Sequence, residues 1–454
     1  MPMDPRAAPL GVPKSSAAFS SFPQRLMGRS GLVGVAALFC IAHSGFAQSL
    51  EGRGSADRSG FDRGRNDSVA ERPRPEYDAI GLRLRSFDVH AGVDVTGEGQ
   101  SNVFATDNGV RSDAILRVAP NLDLRSNWKR HSLQLRGRQE SAFYAKNGSE
   151  NELTGNIAAD GRLDIGSDSS LSAGLSETFE REDRGDPSAF GAAAEQIAFN
   201  VFSAYVGAET QLNRLRLSAF ADRRDYNYRD GRTRTNLVID QDFRDHVEGR
   251  LTGRAEYALS PDTAFLLEAS GNQRNYDGSP APDGLDRNSS GFSVLAGFNT
   301  DLSKLIRGEF AIGYLSQNYR SALINDIRAF GLRGKLEWFV SPLTTITLHA
   351  QRRVEDTGTQ GASSFLLSEG GGRVDYELRR NVLADFGGAT SRRNFRGIDR
   401  SDQLIDFDLG ASYLANRHLR FRFGYAFERQ NTDDTQTSQD YNDHRVSLTA
   451  STRF

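Results

Sequence analysis

The sequence predicts an all-β protein, a transmembrane antiparallel up-and-down β-barrel of about eighteen strands, with short periplasmic turns and longer extracellular loops. Three observations predict it. From about Leu82 onward the chain repeats segments of about 10–15 residues in which apolar and polar side chains alternate, the period of a strand with two unlike faces. The connections between these segments alternate between short and long. The last segment, Tyr441 to Phe454, sets Val446, Leu448 and Ala450 against Arg445, Ser447 and Thr449 and stops on an aromatic, a habit of bacterial outer-membrane barrels. The body of the 454-residue chain has no run of the roughly 20 apolar residues that a membrane helix needs, and its mean hydropathy is −0.53.

The elements before the barrel come first. Leu32–Ala47 is the one long apolar run, preceded by Arg25 and Arg29 and followed by small residues around Gly45-Phe46-Ala47. This predicts a secretory signal peptide over residues 1–47, cleaved after Ala47, rather than a buried core helix. Met27-Gly28-Arg29 with the same apolar run also makes a compact signal, so Met27 competes with Met1 as the start. The only cysteine, Cys40, lies in this leader, which leaves the mature chain without disulfide, thiol nucleophile or cysteine–metal site. Ser49–Asp78 is rich in Arg, Asp, Gly and Pro with no apolar period, and residues 48–80 are predicted to be a disordered periplasmic linker. The barrel then occupies 81–454. The whole chain carries a formal net charge of −3 at pH 7, and no basic excess points to nucleic acid.

The eighteen segments fall at 83–97, 113–126, 131–145, 152–166, 168–181, 196–210, 213–226, 244–259, 263–276, 289–302, 307–319, 327–341, 343–354, 364–379, 381–394, 403–415, 418–430 and 441–454. Short connections carry tight-turn chemistry: Asn127–Arg130, Gly166-Ser167-Asp168, Asn213, Ser260-Pro261-Asp262, Ser303-Lys304, Ser341-Pro342, Arg380-Asn381 and Asn416-Arg417. Longer polar loops such as Arg181–Glu195, Arg229–Val238 and Asp277–Asn288 lie between them. This places both ends of the barrel in the periplasm. A soluble β-sandwich would not need such regular alternation.

Parity assigns the faces. Leu133, Leu135 and Phe143 share one face of the third strand; Gln134, Arg136, Arg138 and Glu140 share the other. A charge at the bilayer midplane costs about 2–4 kcal/mol, so the apolar parity faces lipid and the charged parity the lumen. The same split makes Arg216, Asp222, Glu248, Arg250, Arg254, Arg333, Lys335, Glu337, Arg373, Asp375, Glu377, Arg420 and Arg422 candidate pore-lining residues. Much of this charge is expected to pair across neighbouring strands and stiffen the wall. Trp128, Tyr257, Trp338, Tyr376 and Tyr413 lie near the short-turn ends, as an interfacial girdle requires. Five strands end at the opposite mouth in an aromatic of lumen parity: Tyr144, Tyr226, Tyr276, Tyr319 and Phe395. Aromatic faces stack on sugar rings, so this ring suits a carbohydrate polymer; the alternative is an outer girdle whose parity slips where strands fray.

Catalysis finds no foothold. The seven histidines are scattered, with no zinc spacing and no His-Glu-x-x-His motif. There is no Gly-x-Ser-x-Gly elbow, and the acidic stretch Thr432–Asp443 lacks the calcium-loop pattern. No catalytic, cofactor or metal residue is assigned, and the chain reads as no enzyme.

Five stretches carry a family resemblance: Glu71-Arg-Pro-Arg-Pro-Glu-Tyr-Asp78 leading into Gly81-Leu-Arg-Leu84; Ser101–Thr106 followed by Arg111-Ser-Asp113; Ala159–Ile165; Leu305–Glu309; and Ser341–Leu348. In these the chain resembles the outer-membrane family called putative β-barrel porin 2, over roughly Arg72 to Phe454. The resemblance implies a barrel in the cell outer membrane with no catalytic residues. It also implies association with capsule or exopolysaccharide export, the barrel serving as exit for a polysaccharide chain handed over by a periplasmic polysaccharide-export protein. The alternative function is a general diffusion porin for small hydrophilic solutes, which a long loop folded into the lumen would favour; a third is a closed structural or adhesive barrel.

Overall fold

The computed structural model describes residues 67–191, 193–302, 305–434 and 439–454. The leader (1–47), most of the expected linker and the Ser303-Lys304 turn lie outside the described residues. Eighteen long strands form one antiparallel sheet: β1 (Phe87–Gln100), β2 (Asp113–Ser126), β3 (Ser132–Tyr144), β4 (Glu152–Ile165), β5 (Ser169–Arg181), β6 (Ala198–Leu212), β7 (Leu215–Tyr228), β8 (His246–Ser260), β9 (Thr263–Tyr276), β10 (Ser289–Leu302), β11 (Ile306–Tyr319), β12 (Ile327–Ser341), β13 (Thr344–Asp356), β14 (Ser364–Arg379), β15 (Val382–Arg396), β16 (Ser401–Leu414), β17 (Leu419–Asp433) and β18 (Tyr441–Arg453). Each pairs with its sequence neighbours, and β18 pairs with β1 from Gly92↔Arg453 to Gln100↔Arg445. The sheet therefore closes and leaves no unpaired edge. All eighteen expected segments are present, and the short and long connections alternate as the turn residues dictate.

The tightest turns show why these residues are where they are. Asn213 sits at φ +56° between β6 and β7 and Gly166 at φ +66° between β4 and β5, left-handed conformations that asparagine and glycine adopt most readily. Strands of 13 to 16 residues exceed the roughly 9–11 needed to cross a bilayer, so their ends project beyond it.

The barrel is inside-out relative to a globular protein. Its exposed side chains are large and apolar: Ile157, Val206, Leu251, Phe298, Phe386, Phe423 and Leu448 all point outward, as does Phe454. Trp128, Tyr257, Trp338, Tyr376 and Tyr413 are exposed at the short-turn end, where an interfacial girdle belongs. Its buried side chains include many ionic ones, among them Asp94, Glu268, Arg274, Glu337 and Glu428. A hydrocarbon solvent outside and a hydrated lumen inside account for this arrangement.

One expectation needs correction. Residues 67–80 are not a structureless linker. Val69 is 1% exposed, and its backbone N–H donates to Thr345 Oγ1 on the lumen side of β13 at 3.0 Å. Arg74 and Arg72 reach the lumenal carboxylate of Glu377 on β14 at 2.9 and 3.3 Å. The Arg417 guanidinium donates to the Pro75 carbonyl. The segment follows the inner rim at the short-turn end before Leu82–Leu84 pairs with the start of β1. Its arginines, which suggested a solvated tether, are instead the groups that dock it.

Candidate pore and its constriction

The lumen-parity charges expected from sequence lie on the inner wall, and most are joined in ion pairs. Arg136 meets Asp160, Arg216 meets Glu209 at 2.8 Å, and Arg250 meets Glu248 at 2.8 Å. Arg138 bonds Asp94 at 3.0 Å and Glu140 at 3.3 Å, while Asp222 lies 3.9 Å from Arg224. Arg254 is shared by Glu256, Glu268 and Glu309, and Arg333 binds the last two. Glu337 joins Arg307 and Lys335. Arg373 links Asp375, Asp385 and Asp408, and Arg422 completes the group through Asp385 at 2.7 Å. Glu377 is taken by the docked N-terminal segment, and Arg420 lies within electrostatic reach of Asp78 in that segment. These networks stiffen the wall. Each exposed pair adds little, about 0–1 kcal/mol, but together they satisfy groups that face no lipid.

The outer mouth is organised by the loop 182–197 between β5 and β6. It leaves its own wall and reaches the loop 357–363 between β13 and β14, nearly opposite in the ring. Ser188 Oγ lies 3.0 Å from Thr357 Oγ1 and accepts the Gly358 N–H at 2.9 Å; Thr359 Oγ1 donates to the Pro187 carbonyl at 2.9 Å. Arg184 clamps Glu150, in the β3–β4 loop, with bonds of 2.7 and 2.9 Å. Gly185 passes so close to Tyr441 of β18 that any side chain there would collide with the tyrosine hydroxyl. At the near end Glu182 pairs with Arg244, whose guanidinium stacks 4.0 Å above the Tyr228 ring. Burial works against the charge on Arg244, but the Glu182 carboxylate more than offsets it and holds the guanidinium firmly protonated.

Beneath this strap lies a cavity of about 350 Å³. Tyr144, Tyr226 and Tyr276 line it, together with Arg138, Glu140 and Glu248 from the candidate set. Two of the tyrosines are part of a stack the sequence did not suggest. His246 lies between Tyr226 and Tyr276 at centroid distances of 4.4 and 4.5 Å, because the three residues face one another across β7, β8 and β9. His246 Nδ1 is 2.7 Å from the Arg244 carbonyl oxygen, to which it donates, and Tyr276 donates to Asp356, which also binds Arg274 at 2.6 Å.

The ring of five mouth aromatics is incomplete. Phe395 is 4% exposed and packs with Ala362, Phe365 and Leu367 under Ile398, because the 357–363 and 397–400 loops close over it. Tyr319 leans on the Leu315–Ile327–Leu366 cluster and donates to Ser364 Oγ at 2.6 Å. For both, apolar packing beneath a loop outweighs exposure at the mouth. Sequence reading also missed Glu180, Asp183 and Asp186, which line the cavity. The lumen parity of Glu180 with Thr178 was a usable signal. The path of the strap was not, since nothing local in Asp186-Pro187-Ser188 names a partner at Thr357. A further trio, Asp230, Asp240 and Asp242, brings carboxylate oxygens within 4.8 Å of one another on the exposed β7–β8 loop.

A closed barrel with a lipid-facing exterior and an ionic lumen narrowed by an inward loop defines an outer-membrane β-barrel porin. The chain belongs to the putative beta-barrel porin 2 family, whose model matches residues 74–454, and its place is the outer membrane. No curated protein sequence matches it. Among solved structures it is similar to the outer membrane protein OpdK of Pseudomonas aeruginosa, at 13% identity and TM-score 0.42 over 81% of this chain and 99% of that one. It is similar also to OccAB3 of Acinetobacter baumannii, at 11% and 0.43 over 82% and 100%. OccK2 (OpdF) of Pseudomonas aeruginosa, solved in complex with glucuronate, gives 12% and 0.45 over 81% and 98%.

Proposed function

We propose that this porin is a diffusion channel for small hydrophilic solutes, narrowed at its extracellular mouth by residues 182–197. The observation that carries this reading is the strap itself, held to the far wall by the Ser188–Thr357, Gly358–Ser188 and Thr359–Pro187 bonds and at its near end by the Glu182–Arg244 pair. A loop fixed across the lumen suits passage of small molecules and obstructs a polymer. Export of a polysaccharide chain with a periplasmic export protein would require the strap to leave the mouth and break these bonds. The aromatic wall counts less for a polymer than its residue types suggest. Tyr226 and Tyr276 already stack on His246, and Phe395 is covered.

The test is reconstitution of the purified protein into planar bilayers and liposomes, beside a clean gene deletion. The channel reading expects ohmic current steps, liposome swelling in small sugars or amino acids, and unchanged surface polysaccharide in the deletion strain. A barrel that passes no current defeats it. Polymer trapped in the periplasm of the deletion strain would establish the exit role in its place.

A further inference from the structure

We propose that the constriction selects cations and that Glu180 is its specificity-determining residue. The favoured solutes are small hydrophilic molecules carrying an ammonium or guanidinium group. This rests on the channel reading above and adds the chemistry of what passes.

Acidic and basic groups on the cavity wall are unequally paired. Its arginines are mostly committed. Arg138 is held by Asp94 at 3.0 Å, Arg244 by Glu182, Arg274 by Asp356 at 2.6 Å and Arg445 by Asp443 at 2.7 Å. Arg117 is shared by three carboxylates, Glu98, Glu140 and Glu152, at 3.4, 3.1 and 2.8 Å, so acid outweighs base there. Glu180 stands apart. It lies on the lumen face of β5, two residues before the strap begins, and lines the cavity. Among the described residues no cation pairs with it and no donor bonds it. Asp183 and Asp186 also line the cavity, from the strap itself, and among the described residues neither forms an ion pair. Among the described residues the one cavity arginine without a carboxylate partner, Arg393, is 3% exposed, lies 5.8 Å over the Phe365 ring and bonds Gln430 at 3.4 Å. The ionisable groups left facing the passage without a paired partner are therefore carboxyl groups, Glu180, Asp183 and Asp186.

Phe199 sits directly across from Glu180 on β6 and stacks on Tyr228 at 5.1 Å. Burial disfavours the charge of an unpaired carboxylate and a cation arriving beside it favours that charge, so such a group next to an aromatic wall suits an organic cation. Low-dielectric walls focus its field along the path and raise the local concentration of counter-ions.

The experiment measures reversal potential across a bilayer in a KCl gradient for the full chain, for Glu180→Gln and for Glu180→Lys, with heat-modifiable migration confirming that each variant folds. The parent should be cation-selective. Glu180→Gln should cut the potassium-to-chloride permeability ratio by about threefold, and Glu180→Lys should carry it further toward chloride. In liposome swelling, lysine should enter faster than glutamate through the parent, and Glu180→Lys should reverse the order. Conducting channels whose selectivity is unchanged in both variants, or a parent that prefers chloride, overturn the inference alone. Absence of conductance in the folded parent overturns the channel reading and this inference with it.

Discussion

The two ends of the lumen are closed down by different means. At the extracellular mouth, loop 182–197 reaches the far wall through neutral bonds from Ser188 and Pro187 to Thr357–Thr359. At the periplasmic mouth, residues 68–78 hug one arc of the rim through ionic bonds, Arg72 and Arg74 to Glu377. The first element crosses the passage and leaves carboxylates unpaired along it. The second runs beside the passage and spends its charge on docking. On the channel reading proposed above, the outer end sets what passes, and the inner end sets how the chain enters the barrel. Each can be altered without the other.

The largest effect should come from the strap. Replacing residues 183–194 by a short glycine linker removes the crossing element but no strand, so the barrel should still fold. Single-channel conductance should rise on the order of threefold, and selectivity for cations should weaken because Asp183 and Asp186 go with it. Conductance that does not change would place the narrowest point elsewhere and would reduce the two ends to equivalents.

A smaller effect is expected at the inner rim. Changing both Arg72 and Arg74 to Ala strands the buried Glu377 carboxylate, which is 6% exposed. Because Arg72 is about a third exposed, the penalty is discounted from that of a fully buried pair, to about 1–3 kcal/mol of docking energy. Added protease should then cleave within residues 67–80 in the folded double variant and not in the parent. Reversal potential should stay as it is. A shift in selectivity would mean that the rim segment lies in the passage after all.

The asymmetry also explains what the sequence made legible. Strand period, turn chemistry and facing are local properties, and alternation such as Leu133/Leu135 against Arg136/Arg138 settles them within a few residues. The resulting eighteen strands and their two faces match the structure closely. The site depends on contacts far apart in sequence. Ser188 meets Thr357 and Val69 meets Thr345 with no local mark of either partner. The Arg-Pro-Arg-Pro composition around Arg72 has the look of a solvated linker because composition does not reveal that Glu377 awaits it. Phe395 has the parity of a mouth aromatic and is buried by loops whose course is set by tertiary packing. Glu180 was legible by parity, but its lack of a partner was not, since that is a property of the whole wall.

The subtlest difference between the ends should appear with pH. Thr357–Thr359, the far anchor of the strap, belong to a loop tied to loop 277–288 through Asp283. Its carboxylate accepts the Gly361 N–H at 3.1 Å and pairs with Arg287 at 2.6 Å; Arg287 in turn donates to the Ala362 carbonyl at 3.0 Å. Burial alone would push the Asp283 carboxyl up, but the Arg287 bond and the Gly361 N–H outweigh it and hold it below the usual carboxylate range. A depressed folded value means that Asp283 stabilises the loops above its unfolded value of about 4 and that this contribution is lost as pH falls through the lower folded value. Acidifying the extracellular side from about pH 6 to about pH 3 should therefore loosen the strap's anchor and raise open-channel current noise. Asp283→Asn should show that noise already at neutral pH and respond less to acid. Acidification of the periplasmic side alone should leave the noise unchanged, because Asp283 lies at the other mouth; noise that rises equally from either side would locate the acid-sensitive element in the shared wall and not in the strap's anchor.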